Sequence, residues 1–373
     1  MNKKIIALAV AATFSTPVFA DSGSIAWYGK AYLNGESVKN DKAAKDSALR
    51  VLSNTSRLGI KGSEDLGNGM SGIFQYEVQV DAAGSADNGF GSATRNTGVG
   101  LEGNFGKVIV GKWDTPFKTA HNKVELFDNA SSFTALNLIG HAGGAGTIVK
   151  TGFASAGALP ADPAKWTPDD KIPGTANYNT RQKGLVEYWT PKFGAIQGSV
   201  SYSPDTAPTT SAIKSNLSLA GTYEQDAISA TAAYETRRDV TSSQSDNALR
   251  LVGKYTIGDI WVGATYESIK VNTSATANYT QKNAELVGQY KLGLNKFAAS
   301  YSKAGSSNLG GAHQLTLRYG HDYSTRTEVF AAFTSLKNDS NGNYALTNLY
   351  GATALEQTGS EQTVIGAGVI HTF

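Results

Sequence analysis

From residue 24 onward, apolar and polar residues alternate with a period of two, in runs of about 8–12 residues. NLSLAGTYE (216–224) sets Leu217, Leu219, Gly221 and Tyr223 against Asn216, Ser218, Ala220 and Thr222. AISATAAYE (227–235) sets Ile228, Ala230, Ala232 and Tyr234 against Ser229, Thr231 and Glu235. HQLTLRYGHD (313–322) sets Leu315, Leu317 and Tyr319 against Gln314, Thr316, Arg318 and Asp322. Successive side chains of a strand point to opposite faces, so each run reads as a strand with one apolar and one polar face. Sixteen are expected, near 24–34, 50–62, 70–80, 94–102, 107–113, 181–190, 195–203, 214–224, 227–236, 247–257, 259–270, 281–291, 295–303, 312–322, 326–336 and 361–373. Short Gly- and Asp-rich turns such as SEDLGNG, EGNFG and KLGLN alternate with longer loops at 35–49, 81–93, 114–180, 204–213, 237–246, 271–280, 304–311 and 337–360.

A β-sandwich would not separate short connections from long ones so regularly. Nor would it turn charges inward on strand after strand, where leaving them unpaired is costly. An even-numbered antiparallel barrel in an outer membrane does both: it is apolar outside and polar inside, with short turns at one end and long loops at the other. The sheet must close, because no backbone group can stay unpaired in lipid. The expected fold is therefore all-β, a 16-stranded antiparallel transmembrane β-barrel in one domain. In segment 50–62, Val51, Ser53, Thr55, Arg57, Gly59 and Lys61 share the wet inner face, and Leu52, Leu58 and Ile60 face lipid.

The chain opens MNKKIIALAVAATFSTPVFA, with Lys3 and Lys4 before an apolar run that ends on Ala20. Residues 1–20 read as a cleaved secretory signal peptide, leaving 21–373 as the barrel. Cleavage removes two lysines, so 31 basic residues face 31 acidic ones and the mature chain is formally neutral. A nucleic-acid partner, which needs a basic surface, is not expected. There is no cysteine, so neither disulfides nor thiolate metal sites hold the exported chain together. No later window approaches the length of a membrane-spanning helix, about 18 apolar residues. Mean hydropathy is −0.26, while 41 Gly and 17 Tyr against 9 Pro favour strands and turns.

Several stretches resemble the Gram-negative general porins of β-proteobacteria and neisseriae. WYGKAYLNG is similar to the family's opening strand, and SRLGIKGSEDLGNGMSGIFQYE to its most specific hallmark. RNTGVGLEGNFGKVIVGKWDTPF resembles the hairpin that leads into its third loop, RQKGLVEYWTPKFGAIQGSVSY the hairpin after it, and GVIHTF its last strand. The resemblance implies a barrel, usually trimeric, whose third loop folds into the lumen and narrows a channel. That constriction loop would be 114–180, longer than the family leads one to expect. It implies an outer-membrane location reached through the periplasm, with lipid, lipopolysaccharide, further copies of itself and the barrel-assembly machinery as partners. No cofactor is implied.

The resemblance further implies that basic wall residues face acids on the third loop. The basic cluster carries over to Lys30, Arg57, Arg95 and Arg181, with Lys112 ending the fifth strand; Lys30 keeps the charge of the commoner Arg but not its planar fork. Strand parity would turn Arg95 toward lipid; the family match turns it inward. The acids are Asp114, Glu125 and Asp128. Lys61, nearer the turn, is expected to line the vestibule, and Phe373 to serve as the assembly signal. Facing charges would put a transverse field across a narrow mouth, passing polar solutes, and clustered cations would favour anions modestly.

The leading expectation is a channel for passive diffusion of small hydrophilic solutes and ions, not an enzyme. Alternatives are a substrate-specific porin, a surface adhesin or receptor built on loops 114–180 and 337–360, and an outer-membrane barrel enzyme. The last needs Asp, His or Ser converging on one rim, which the sequence does not offer. The five histidines, at 121, 141, 313, 321 and 371, form no metal motif, and His313 and His321 are about 26 Å apart along one strand. No metal site is expected. No G-x-S-x-G elbow leads into a helix.

Overall fold

The computed structural model describes residues 23–42, 47–84, 90–128, 131–143, 176–205, 214–241, 244–272, 276, 278–305, 310–346 and 358–373. The expected signal peptide, and residues 129–130 and 144–175 of the long third loop, lie outside the described residues. Sixteen spans follow one another around a single sheet: β1 (Ser24–Asn40), β2 (Ser47–Ser53 and Arg57–Gly67), β3 (Met70–Val80), β4 (Phe90–Thr94 and Thr97–Gly103) and β5 (Gly106–Asp114) precede the third loop. After it come β6 (Arg181–Trp189), β7 (Ile196–Ser203), β8 (Ser215–Gln225), β9 (Ile228–Thr241), β10 (Gln244–Ile257) and β11 (Ile260–Asn272). The circuit ends with β12 (Asn278–Leu292), β13 (Asn295–Ala304), β14 (Ala312–Asp322), β15 (Thr327–Asn338) and β16 (Glu361–Thr372). Every neighbouring pair is antiparallel, and β16 returns to β1 in continuous register from Lys30 opposite Thr372 to Asn40 opposite Gln362. The sheet is closed, as lipid requires.

Phe373 completes that seam. It exchanges backbone hydrogen bonds with Gly29, at 3.1 Å and 2.9 Å, and its ring covers Gly29 so closely that a Cβ there would lie 2.3 Å from it.

Alternation sorts the two faces as expected. Leu317 is 47% exposed to the outside, and its neighbour Thr316 is fully buried within the barrel. At β2 the expected parity holds for only half the span. Leu33 stands opposite Ser53, while Lys30 stands opposite Arg57, so residues 54–56 of β2 answer only residues 31–32 of β1. This one-residue bulge, with Thr55 at φ 47°, inverts the alternation. The expected placement is thereby corrected: Val51 faces outward, 62% exposed, and Leu52 faces inward, 2% exposed. Arg57, Gly59 and Lys61, beyond the bulge, remain inward.

The hydrophobic core lies inside the barrel, between the wall and loops that enter it. The third loop begins with a short helix, α1 (Pro116–Ala120), whose N-terminus is capped by Thr115 Oγ1 accepting from the Lys118 N–H at 3.2 Å. Phe117 and Val124 pack against inward Val252, Ile269, Val271 and Val287. Phe127, Phe133 and Leu138 pack against Tyr32, Phe330, Leu336 and Val364. The wall therefore carries apolar patches where the loop covers it, and each large apolar side chain buried there contributes about 1.5–3 kcal/mol. The start of the loop after β15, one of the longer loops expected from the sequence, joins this core through Tyr344 and Leu346.

Glycine makes room for the contact at Gly263 of β11. A Cβ there would lie 2.5 Å from Val124 Cγ1 and 3.2 Å from the Gly253 carbonyl oxygen. Gly263→Val is therefore expected to destabilise loop docking by about 1–3 kcal/mol. In a planar bilayer its open-state current should be noisier than that of the parent chain, and an unchanged trace would show that Val124 is not seated on this wall.

Candidate pore constriction

Four basic side chains of the first six strands, Lys30, Arg57, Arg95 and Arg181, meet Glu77, Asp114 and Asp128 in a belt of ion pairs. Asp128 is its hub. Its carboxylate accepts from Lys30 Nζ at 2.9 Å, Arg57 Nη1 at 2.7 Å and Thr55 Oγ1 at 2.9 Å. Asp128 has φ 58°, a left-handed conformation that Asp tolerates better than most residues. From Arg57 the belt runs to Glu77 of β3 at 3.6 Å, and from Glu77 to Arg95 at 2.5 Å. Tyr28 donates to the other Glu77 oxygen at 3.0 Å. Arg181 reaches Asp114 at 3.2 Å and donates to Asn96 Oδ1 at 2.7 Å, and Lys118 of α1 donates to Asp114.

The sequence-derived residues thus fall into distinct places. Lys30, Arg57, Arg95 and Arg181 come together, and Arg95 is turned toward the inward carboxylate of Glu77, as the family match implied and parity did not. Lys112 does not join these ion pairs. The inward positions of β5 are taken by Ile109, Gly111 and Trp113, which leaves Lys112 on the face of Val108 and Val110, its ammonium held by the Thr94 carbonyl. Lys61 lies four residues nearer the short turn than Arg57, 5.3 Å above the Tyr28 ring.

Among the acids, Asp114 and Asp128 touch the cations directly rather than facing them across a gap. Glu125 is folded into the loop itself: it accepts from Thr134 Oγ1 at 2.8 Å and from the Phe127 N–H at 2.8 Å. Burial and paired charges decide the protonation of the loop groups. Burial pushes Asp128 up, but the Arg57 and Lys30 charges outweigh it and hold the carboxyl at about 2. Burial lowers the Lys118 ammonium to about 8, with Asp114 only partly offsetting it and Arg181 adding to it.

Sequence reasoning missed the groups that hold the loop. Three wall glutamates do so along β9–β12: Glu235 accepts from Thr115 Oγ1 at 2.7 Å, Glu267 from the Gly140 N–H, and Glu285 is paired with His121 at 2.7 Å. Arg250 of β10 is fully buried between Glu267 at 2.9 Å and the Phe117 carbonyl at 3.0 Å. On β1, Glu36 accepts from Ser132 Oγ at 2.8 Å and pairs with Arg50 at 2.6 Å. The available signal was an inward acid flanked by inward apolar residues, as with Glu267 beside Ile269 and Val271, a wall position that no open aqueous pore would favour.

The belt holds five cations, Lys30, Arg57, Arg95, Lys118 and Arg181, against three carboxylates, Glu77, Asp114 and Asp128. A surplus of two positive charges is gathered where the loop meets the first six strands. Asp128→Asn should raise that surplus by one and move the zero-current potential further toward the anion side under a salt gradient; no movement would place Asp128 away from the ion path. Because Lys118 has a lowered value, its charge is present below about pH 8 and lost above it. Anion preference should therefore weaken as pH rises through about 8, an effect that Lys118→Gln removes.

A profile of the Gram-negative porin family matches residues 7–341. Outer membrane porin protein 32 of Delftia acidovorans is 26% identical over the whole of both chains. The major outer membrane protein P.IB of Neisseria sicca is 24% identical, over 92% of this chain and 96% of that protein. Among solved structures, the anion-selective porin from Comamonas acidovorans superposes with a TM-score of 0.75 at 22% identity, covering 94% of this chain and all of that one. The trimer form of Vibrio cholerae OmpT gives 0.63 at 16% identity, over 95% of this chain. With its closed sixteen-stranded wall, its inward-folded third loop and a family match over most of its length, the chain belongs to the Gram-negative porins and is an outer-membrane channel protein.

Proposed function

We propose that the protein is a passive, water-filled channel for small hydrophilic solutes and ions, with a modest preference for anions. The observation that carries this reading is the belt of five cations against three carboxylates beside the loop. A solute leaving bulk water at a narrow point exchanges hydration for fixed charges; a net positive wall lowers that cost for anions and raises it for cations. The ion pairs within the belt neutralise part of the charge, which supports a moderate rather than steep discrimination. The anion selectivity of the Comamonas relative points the same way.

The proposed residues of the ion path are Lys30, Arg57, Arg95 and Arg181, with Asp114 and Asp128 tempering them and Lys61 in the vestibule. Glu125 is proposed as an internal brace of the loop, and Lys112 as a side chain at the extracellular rim of β5. Phe373, seated on Gly29 at the closing seam, is the proposed assembly signal. We take the working unit to be a homotrimer in lipid and lipopolysaccharide, as the similarly folded outer membrane protein OmpT of Vibrio cholerae is described in trimer form.

Purified mature protein in a planar bilayer under a salt gradient tests the reading. Ohmic steps with an anion-sided zero-current potential are expected, and Arg57→Ala with Arg95→Ala should shrink that potential by at least half. A cation-sided potential, or a folded barrel that never conducts, would contradict it.

A further inference from the structure

The stretch from His121 to Asp128 crosses the lumen as a strut. Its Asp128 end is fixed to Lys30 and Arg57 on β1 and β2, and its His121 end to Glu285 on β12. The first end is ionic at any physiological pH, since Asp128 sits at about 2. The second end is built differently. His121 Nε2 lies 2.7 Å from Glu285 Oε2, and Nδ1 faces Glu125 Oε2 at 3.4 Å, with no hydrogen-bond partner of its own among the described residues. The three side chains are 0%, 2% and 3% exposed for His121, Glu285 and Glu125. An imidazole between two carboxylates in so dry a place binds them well only while it carries its proton.

We propose that His121 is a positioning residue for the constriction: its protonated imidazole, shared between Glu285 of the wall and Glu125 of the loop, holds the strut that presents Asp128 to the basic belt. This inference rests on the channel reading. The groups facing the imidazole are few. Glu285 comes from β12 and is also reached by Thr265 Oγ1 of β11 at 3.3 Å. Glu125 comes from the loop and is held by Thr134. The charge of Arg250 of β10 opposes that of the imidazolium, and Arg250 is already paired with Glu267 of β11.

The direction of the pH effect follows from these contacts. Burial pushes His121 down, but the Glu285 charge, its hydrogen bond and the Glu125 charge carry it above the ordinary histidine value. Burial raises Glu125, and the His121 charge only partly restores it. Both groups hold a proton more tightly with the loop docked than with it free. Docking therefore takes up protons, is complete on the acid side, and weakens as pH rises through the raised values. The strut loosens in alkali, while its Asp128 end stays latched.

The test is single-channel recording of the whole mature protein between about pH 6 and about pH 10, with open-level noise and step conductance as the readouts. The parent channel should be quiet at the acid end and several-fold noisier at the alkaline end. H121Q, which cannot carry the proton, should be noisy at every pH. E125Q removes one of the two carboxylates that hold the proton, so its transition should move toward acid. K118Q should keep the transition, which separates it from the loss of the Lys118 charge. A transition that persists unmoved in H121Q or in E125Q overturns the proposal, and E125Q alone decides it if H121Q does not fold. Absence of current at every pH in the parent protein would instead overturn the channel reading and this inference with it.

Discussion

Every backbone polar group that enters a bilayer has to find its partner within the protein, and in this chain that one constraint sets the rest. Sixteen strands satisfy it only by closing, so the seam between β1 and β16, with Phe373 exchanging hydrogen bonds with Gly29, is as much a part of the fold as any hairpin. Closure then creates a second problem. A barrel of this size leaves an open lumen, and the protein fills much of it with its own third loop and the start of the loop after β15. The wall beneath them carries apolar patches, with Phe330, Leu336, Val364, Ile269 and Val271 turned inward.

The asymmetry of the pore follows from where that filling is placed. Over β9–β12 the loop is anchored by Glu235, Glu267 and Glu285, whose charges are satisfied by Thr115, the Gly140 N–H, Arg250 and His121. Those acids are spent on holding the loop and contribute little to the ion path. On the opposite side the wall keeps Lys30, Arg57, Arg95 and Arg181, and only part of their charge is met by Glu77, Asp114 and Asp128. Positive surplus on one side and neutralised anchors on the other result from one chain tracing one path across the lumen.

Most of this architecture was legible in the sequence because strand alternation and turn chemistry are local. Each of the sixteen expected runs lies within or across an observed span, and Lys30, Arg57, Arg95 and Arg181 do meet. What was not legible depends on non-local geometry. The bulge at Asn54–Ser56 adds one residue to β2 and exchanges the faces of Val51 and Leu52, which no periodicity count can register without the partner strand. Glu125 has the same composition signal as Asp128, yet one folds back to Thr134 and the other reaches Arg57. Lys112 sits one place from Trp113, and the alternation of β5 gave the inward place to the tryptophan. The anchoring glutamates were hidden because an inward acid on a barrel strand reads as pore lining until the loop that covers it is in place.

The third loop lies against β11 at Val124, and cysteine cross-linking tests that contact directly in a chain with no cysteine of its own. A Cβ at Gly263 would stand 3.3 Å from that of Val124, close to the separation of about 3.5–4.5 Å found in disulfides. The double variant V124C/G263C, oxidised in outer membranes, should cross-link nearly completely and still conduct anions with the parent step size. A pair that stays reduced under oxidant, or a cross-link that closes the channel, would contradict a loop docked on this wall beside an open basic face.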